Sequence, residues 1–130
     1  MTDFNSIAKL QEHLRQQPAL DFAVLVGSRA HGNAQAHSDW DIALHWQTDM
    51  DWMQRIARGE TLRRELAQAI SAQESDIDLI DLANSNLAMR ALVAEEGVVL
   101  CGENSVAWAR FLRRTWRELE EYYWEQCYAA

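Results

Sequence analysis

The chain has 130 residues, 48% hydrophobic and 25% charged, with a formal net charge of −8. That length suits one domain, residues 1–130, able to bury roughly two thirds of its unfolded surface. The acidic balance argues against sequence-independent nucleic-acid binding, which needs clustered Lys and Arg to displace counterions, and Lys9 is the only lysine.

In chain order, Phe4, Ile7, Leu10 and Leu14 stand at helical spacing, and Pro18 stops that helix. Phe22-Ala23-Val24-Leu25-Val26 is a continuous apolar run of strand length that ends at Gly27, as a buried strand entering a turn would. Asp39 to Trp46 alternates acidic and apolar residues and reads as a second strand. Thr48-x-x-Asp51 is predicted to be a capping box opening a helix that carries Ile56, Leu62, Leu66 and Ile70, with Gly59 as a possible break. Ile77 to Leu82 reads as a third strand, followed by a helix capped by Asn84 or Ser85 and ended by Gly97 in a left-handed conformation. Val98 to Cys101 is a short fourth strand, and Ser105 to Tyr128 a long helix with Trp108, Leu112, Trp116, Leu119 and Tyr123 on one face. The expected fold class is α/β (α+β), a small mixed sheet flanked by helices.

The chemistry concentrates where the first two strands meet. Gly27-Ser28, ten residues, then Asp39-Trp40-Asp41 join the apolar run to Ile42-Ala43-Leu44. Two positions apart on a strand, the carboxylates of Asp39 and Asp41 leave one face, roughly 6.6 Å apart at the backbone, while Trp40 points to the other. Magnesium is held by one or two carboxylates plus substrate phosphates, so this pair suits it better than zinc. A third carboxylate is expected from the third strand. Asp76 and Asp78 share a face and Asp81 lies opposite; Asp78 is chosen because a charge within the apolar stretch is costly unless it is paired or bound to metal. Gly27 and Ser28 offer close backbone approach, N–H groups and a hydroxyl to a phosphate, helped by a helix dipole if residues 28–34 begin a helix. Arg29 is placed to contact phosphate from the same turn.

His31, His37 and His45 match no zinc spacing. Cys101 and Cys127 form no CxxC, and no signal peptide or membrane-length apolar stretch is visible, so free thiols in the cytoplasm are expected. Arg110, Arg113, Arg114 and Arg117 interleave with glutamates on the last helix and read as a solvated face with pairs such as Arg114–Glu118 and Arg117–Glu121. That helix also carries seven aromatics that cannot share one stripe, because Tyr122, Tyr123 and Trp124 are consecutive; some must be exposed, as anchors for a protein partner are.

Gly27-Ser28-x10-Asp39-x-Asp41, followed by Asp78 in an Asp-Leu-Ile-Asp-Leu strand, resembles the polymerase-β-like nucleotidyltransferases, and most of all their minimal nucleotidyltransferase (MNT) members, over nearly the whole chain. Gly27-Ser28-Arg29-Ala30-His31-Gly32 departs from their usual Gly-Ser-Arg-Ala-Arg-Gly at His31, in place of one basic contact. The resemblance implies a polymerase-β-like fold and an antitoxin that transfers AMP from ATP to a tyrosine hydroxyl of a cognate HEPN-domain RNase toxin, releasing pyrophosphate. It also implies that Asp39, Asp41 and Asp78 hold Mg2+ (two ions), that Asp78 helps deprotonate the acceptor, and that Gly27, Ser28 and Arg29 hold the ATP phosphates. Three alternatives stand beside it: a small-molecule, antibiotic-type nucleotidyltransferase; an antitoxin acting by binding alone; and, disfavoured by the charge, a nucleic-acid nucleotidyltransferase.

Overall fold

The computed structural model describes residues 2–32, 35 and 38–128. Among these residues four α-helices and four strands follow in the order α1 (Thr2–Arg15), β1 (Leu20–Val26), β2 (Trp40–Trp46), α2 (Trp52–Ala69), β3 (Ile77–Asp81), α3 (Leu87–Glu96), β4 (Val98–Cys101) and α4 (Val106–Tyr128). The strands form one mixed sheet in the order β3-β2-β1-β4. β1 runs antiparallel to both β2 and β4, while β2 and β3 are parallel. A parallel pair needs a long crossover, and α2 supplies it.

Each face of the sheet is covered. Trp40, Ile42, Leu44 and Trp46 of β2 pack with Leu10 and Leu14 of α1 and Leu62 and Leu66 of α2. Phe22, Val24 and Val26 of β1 and Ala43 of β2 face the other way, onto Val93 of α3 and Phe111 of α4. Residues 22–26 are buried whichever face they serve, which is why this stretch is apolar without alternation.

Several local devices differ from the sequence reading. The box at the start of α2 belongs to Asp51 and Gln54: the Gln54 N–H donates to Asp51 Oδ1 at 2.8 Å, and the Asp51 N–H donates to Gln54 Oε1 at 2.9 Å. A glutamine three places on serves this reciprocal bond as well as an acid does. Gly59 does not break α2, which runs on through it. The cap of α3 is Asn86, whose Oδ1 accepts from the Met89 N–H at 2.9 Å. Gly97 has φ −75°, so it is not left-handed. It is a close-approach residue instead, since a Cβ there would lie 2.3 Å from Val24 Cγ1 and 2.5 Å from the Val93 carbonyl oxygen. Phe4 points to solvent, leaving Leu10 and Leu14 to bury α1.

The buried side of α4 is Phe111 and Thr115, with Trp108 and Leu112 partly covered. Phe22 receives Trp108 edge-on at 5.0 Å and Phe111 at 5.4 Å between ring centroids. Trp116 and Tyr123, expected on the core stripe, are exposed, and from Glu120 to Tyr128 every residue is. Glu118 closes the supported part by accepting from buried Arg90 of α3 and, at 3.4 Å, from Arg114 Nε. Cys101 is buried, Cys127 exposed and both are free thiols. Among the described residues no helix is long and apolar enough to cross a membrane.

Candidate active site

The site stands where β1 ends and β2 begins. Gly27 takes φ +79°, a conformation open to glycine at little cost, and turns the chain out of the sheet. The Ala30 N–H donates to the Gly27 carbonyl at 3.0 Å and the His31 N–H to the Ser28 carbonyl at 3.3 Å. These are successive tight turns rather than a helix, so any anion here meets local N–H groups and not a helix dipole. Ser28 is half-buried and His31 exposed; residues 33, 34, 36 and His37 lie outside the described residues.

Asp41 is the second residue of β2, opposite Val26 of β1 on one side and in parallel register with Asp78 of β3 on the other. The two carboxylates therefore sit on adjacent strands at the same level of the sheet, on the α3–α4 face shared with Ala43. Asp39 lies just before the strand and is exposed, near enough for its negative charge to act on the Asp41 carboxyl. Asp78 is exposed too, a correction to the expectation of an embedded charge: β3 is an edge strand, and its apolar neighbours Ile77 and Leu79 face α2. Asp41 is half-buried, and its carboxyl is held above the ordinary aspartate range, first by burial and then by the negative charges of Asp78 and Asp39.

The neighbouring acids are occupied elsewhere. Asp76 Oδ2 accepts from the Gln73 N–H at 3.0 Å in the turn before β3. Asp81 faces α2, where Arg55 Nε donates to it at 2.7 Å, as alternation along β3 requires. Arg29 reaches the residue before Asp39 and the residue after it. Its Nε and Nη2 donate to the Ser38 carbonyl at 3.2 and 2.9 Å, and its guanidinium sits 4.4 Å from the centre of the Trp40 ring. The sequence offered no sign of this, because the contact joins residues nine and eleven positions away.

His45 is the last inward residue of β2 on this face, hydrogen-bonded through Nδ1 to Asp21 at 3.0 Å and stacked on Phe22 at 4.7 Å. A cavity of about 640 Å³ opens beside that pair, with Arg90 and Arg110 on its walls. Fully buried Ala43 separates it along β2 from Asp41.

The donor set suits a hard divalent cation. Carboxylate oxygens are magnesium's preferred protein ligands, and a cation would offset both the burial and the repulsion that raise Asp41. Among the described residues no group of three or more His, Cys, Asp or Glu side chains is gathered closely enough to hold a metal ion by itself. An ion here would need oxygens from a substrate phosphate to complete its shell, which is how magnesium is commonly held.

Comparison with known proteins points the same way. A family model for polymerase-β nucleotidyltransferase matches residues 8–106. The chain is 28% identical over 116 residues to the protein adenylyltransferase MntA of Aphanizomenon flos-aquae, spanning 84% of this chain and 77% of that protein. It is 36% identical over 99 residues to the protein adenylyltransferase MntA of Shewanella oneidensis, 75% of this chain and 64% of that protein. Among solved structures it matches, with TM-score 0.70 and 26% identity over 93% of both chains, a chain of a toxin–antitoxin crystal structure with AMP-PNP. It also matches a chain of the tri-AMPylated Shewanella oneidensis HEPN toxin in complex with MNT antitoxin, with TM-score 0.65 and 25% identity over 98% of this chain and 94% of that one.

Proposed function

The chain belongs to the polymerase-β nucleotidyltransferase family, and from that premise we propose that it transfers AMP from Mg-ATP to a tyrosine hydroxyl of a cognate HEPN-domain toxin, so acting as its antitoxin. The observation that carries the chemistry is the registered pair of Asp41 and Asp78 on adjacent strands, with Gly27 against Asp41. The observations that favour a protein acceptor are the AMP-PNP and tri-AMPylated-toxin complexes of similar chains and the exposed aromatic end of α4.

In this reading Asp39, Asp41 and Asp78 hold Mg2+, two ions in all, with ATP as co-substrate. Bound magnesium would neutralise phosphate charge and make the acceptor hydroxyl more acidic. Gly27 N–H and the Ser28 hydroxyl hold the triphosphate, where the lack of a Cβ at Gly27 allows close approach. Asp78, exposed on the edge strand, takes the proton of the acceptor hydroxyl. The acceptor oxygen bonds to the α-phosphorus, the bond to the bridging oxygen breaks, and pyrophosphate leaves. Supply of ATP and two free thiols favour the cytoplasm as the place of reaction.

The test is intact-mass spectrometry of the protein expressed beside its genomic neighbour with Mg-ATP, comparing wild type with Asp39→Ala/Asp41→Ala. Mass added to the neighbour in AMP units, only with intact carboxylates, supports transfer. A stable complex without added mass would overturn it in favour of neutralisation by binding.

A further inference from the structure

Asp39 has a problem of support. β2 begins at Trp40, so residue 39 lies outside the strand, and its side chain is exposed. Asp41, two positions on, is fixed between two strands, whereas Asp39 is not. An exposed carboxylate before the first ladder residue would sample many positions, and each position lost on ligand binding costs entropy.

What brackets residue 39 is Arg29. Two of its N–H groups converge on the carbonyl of Ser38, the residue before, and its guanidinium lies over the ring of Trp40, the residue after. Trp40 is 4% exposed and packs into the α1–α2 side of the sheet, the side away from Asp41 and Asp78. Arg29 therefore approaches the site from behind. We propose that Arg29 is a positioning residue that fixes Asp39 by clamping the backbone on one side of it and the aromatic ring on the other. This rests on the reading of Asp39 as a metal-holding carboxylate and assigns Arg29 a role other than phosphate contact.

The chemistry of the clamp predicts which substitutions fail. A planar fork can share one carbonyl between two donors and lie flat on an indole; a lysine ammonium keeps the charge and does neither well. Glutamine loses the charge but keeps a planar amide donor. If Arg29 held phosphate, lysine would be the better replacement. If it holds the backbone, lysine has no such advantage.

The experiment uses Mn2+ as probe, its binding to the full chain followed by loss of the free-ion EPR signal with AMP-PNP present. R29K is expected to weaken Mn2+ binding about tenfold, as loss of an outer partner of a metal ligand does, and R29Q to bind Mn2+ no worse than R29K. In an Asp39→Asn background R29K should add little, since both changes remove the same ligand. With Mn2+ saturating, the KM for ATP of R29K should stay within about twofold of wild type. Thermal melts of both variants check that the fold is intact. Wild-type Mn2+ binding in R29K, or a raised KM for ATP at saturating metal, overturns the proposal. Mn2+ binding that follows the expected order without any AMP transfer would sink the proposed function and leave the role of Arg29 standing.

Discussion

A Cβ added to Gly27 would fall 2.6 Å from Oδ2 of Asp41, so a side chain in the turn after β1 would require the carboxylate of β2 to shift. Two demands meet at this glycine, the close approach and the φ of +79°. Gly27→Ala is expected to lose about 1–2 kcal/mol from the left-handed conformation alone, with transfer falling further because Asp41 must move. Urea melts and initial rates on the same preparation separate the two effects; an active, destabilised variant would show that Asp41 tolerates displacement.

Asp41 makes the fold's stability depend on pH in the reverse of the usual aspartate sense. Its carboxyl is raised in the folded state by burial and by Asp78 and Asp39. The folded chain thus binds its proton more tightly than the unfolded chain, so this contribution is fully present in acid and lost as pH rises through the folded value. Asp41→Asn is expected to melt above wild type at neutral pH without divalent cations, the gap closing toward acid. Thermal melts across pH 3–8 (roughly the span from below the carboxylate range to neutrality) check the sign.

Asp76 and Asp78 are two residues apart and chemically identical, yet the geometry separates them. Asp76 caps the turn before β3, while Asp78 stands in register with Asp41. Asp78→Asn is expected to slow AMP transfer by on the order of 10²-fold or more. Asp76→Asn, which keeps an acceptor oxygen for the Gln73 N–H, should stay near wild type. Equal losses in both would remove Asp78 from the proposed mechanism.

Glu118 supports buried Arg90 and is itself held below the usual glutamate range, first by the hydrogen bond from Arg90 and further by the charges of Arg90 and Arg114. Its contribution has the opposite sign to that of Asp41: present above the unfolded value, lost as pH falls through the folded one. Glu118→Gln is expected to cost about 1–3 kcal/mol, less than a fully buried pair would because Glu118 is partly exposed. Denaturant melts at neutral pH measure it, and the difference from wild type should shrink in acid.

Local patterns carried much of this reading. The continuous apolar run of β1, the Gly27-Ser28 turn and the Asp39-x-Asp41 spacing are all short-range features, and period-two alternation alone placed Asp81 on the face opposite Asp78. The aromatic surplus on α4 foretold exposed rings because three consecutive residues cannot face one core. Gly97 misled, since glycine serves both left-handed turns and close packing, and only the nearness of Val24 distinguishes them.

The sequence by itself determined which residue types stand at the turn and how far apart they are along the chain, because strand pleat and turn chemistry are set by neighbouring residues. The tertiary structure alone decided that Asp78 meets Asp41, that Gly27 lies against the Asp41 carboxylate and that Arg29 grips Ser38 and Trp40. Those are through-space relations created by pairing residues 37 positions apart and by Arg29 reaching residues nine and eleven positions on, and strand register and side-chain packing settle them only once the sheet has formed.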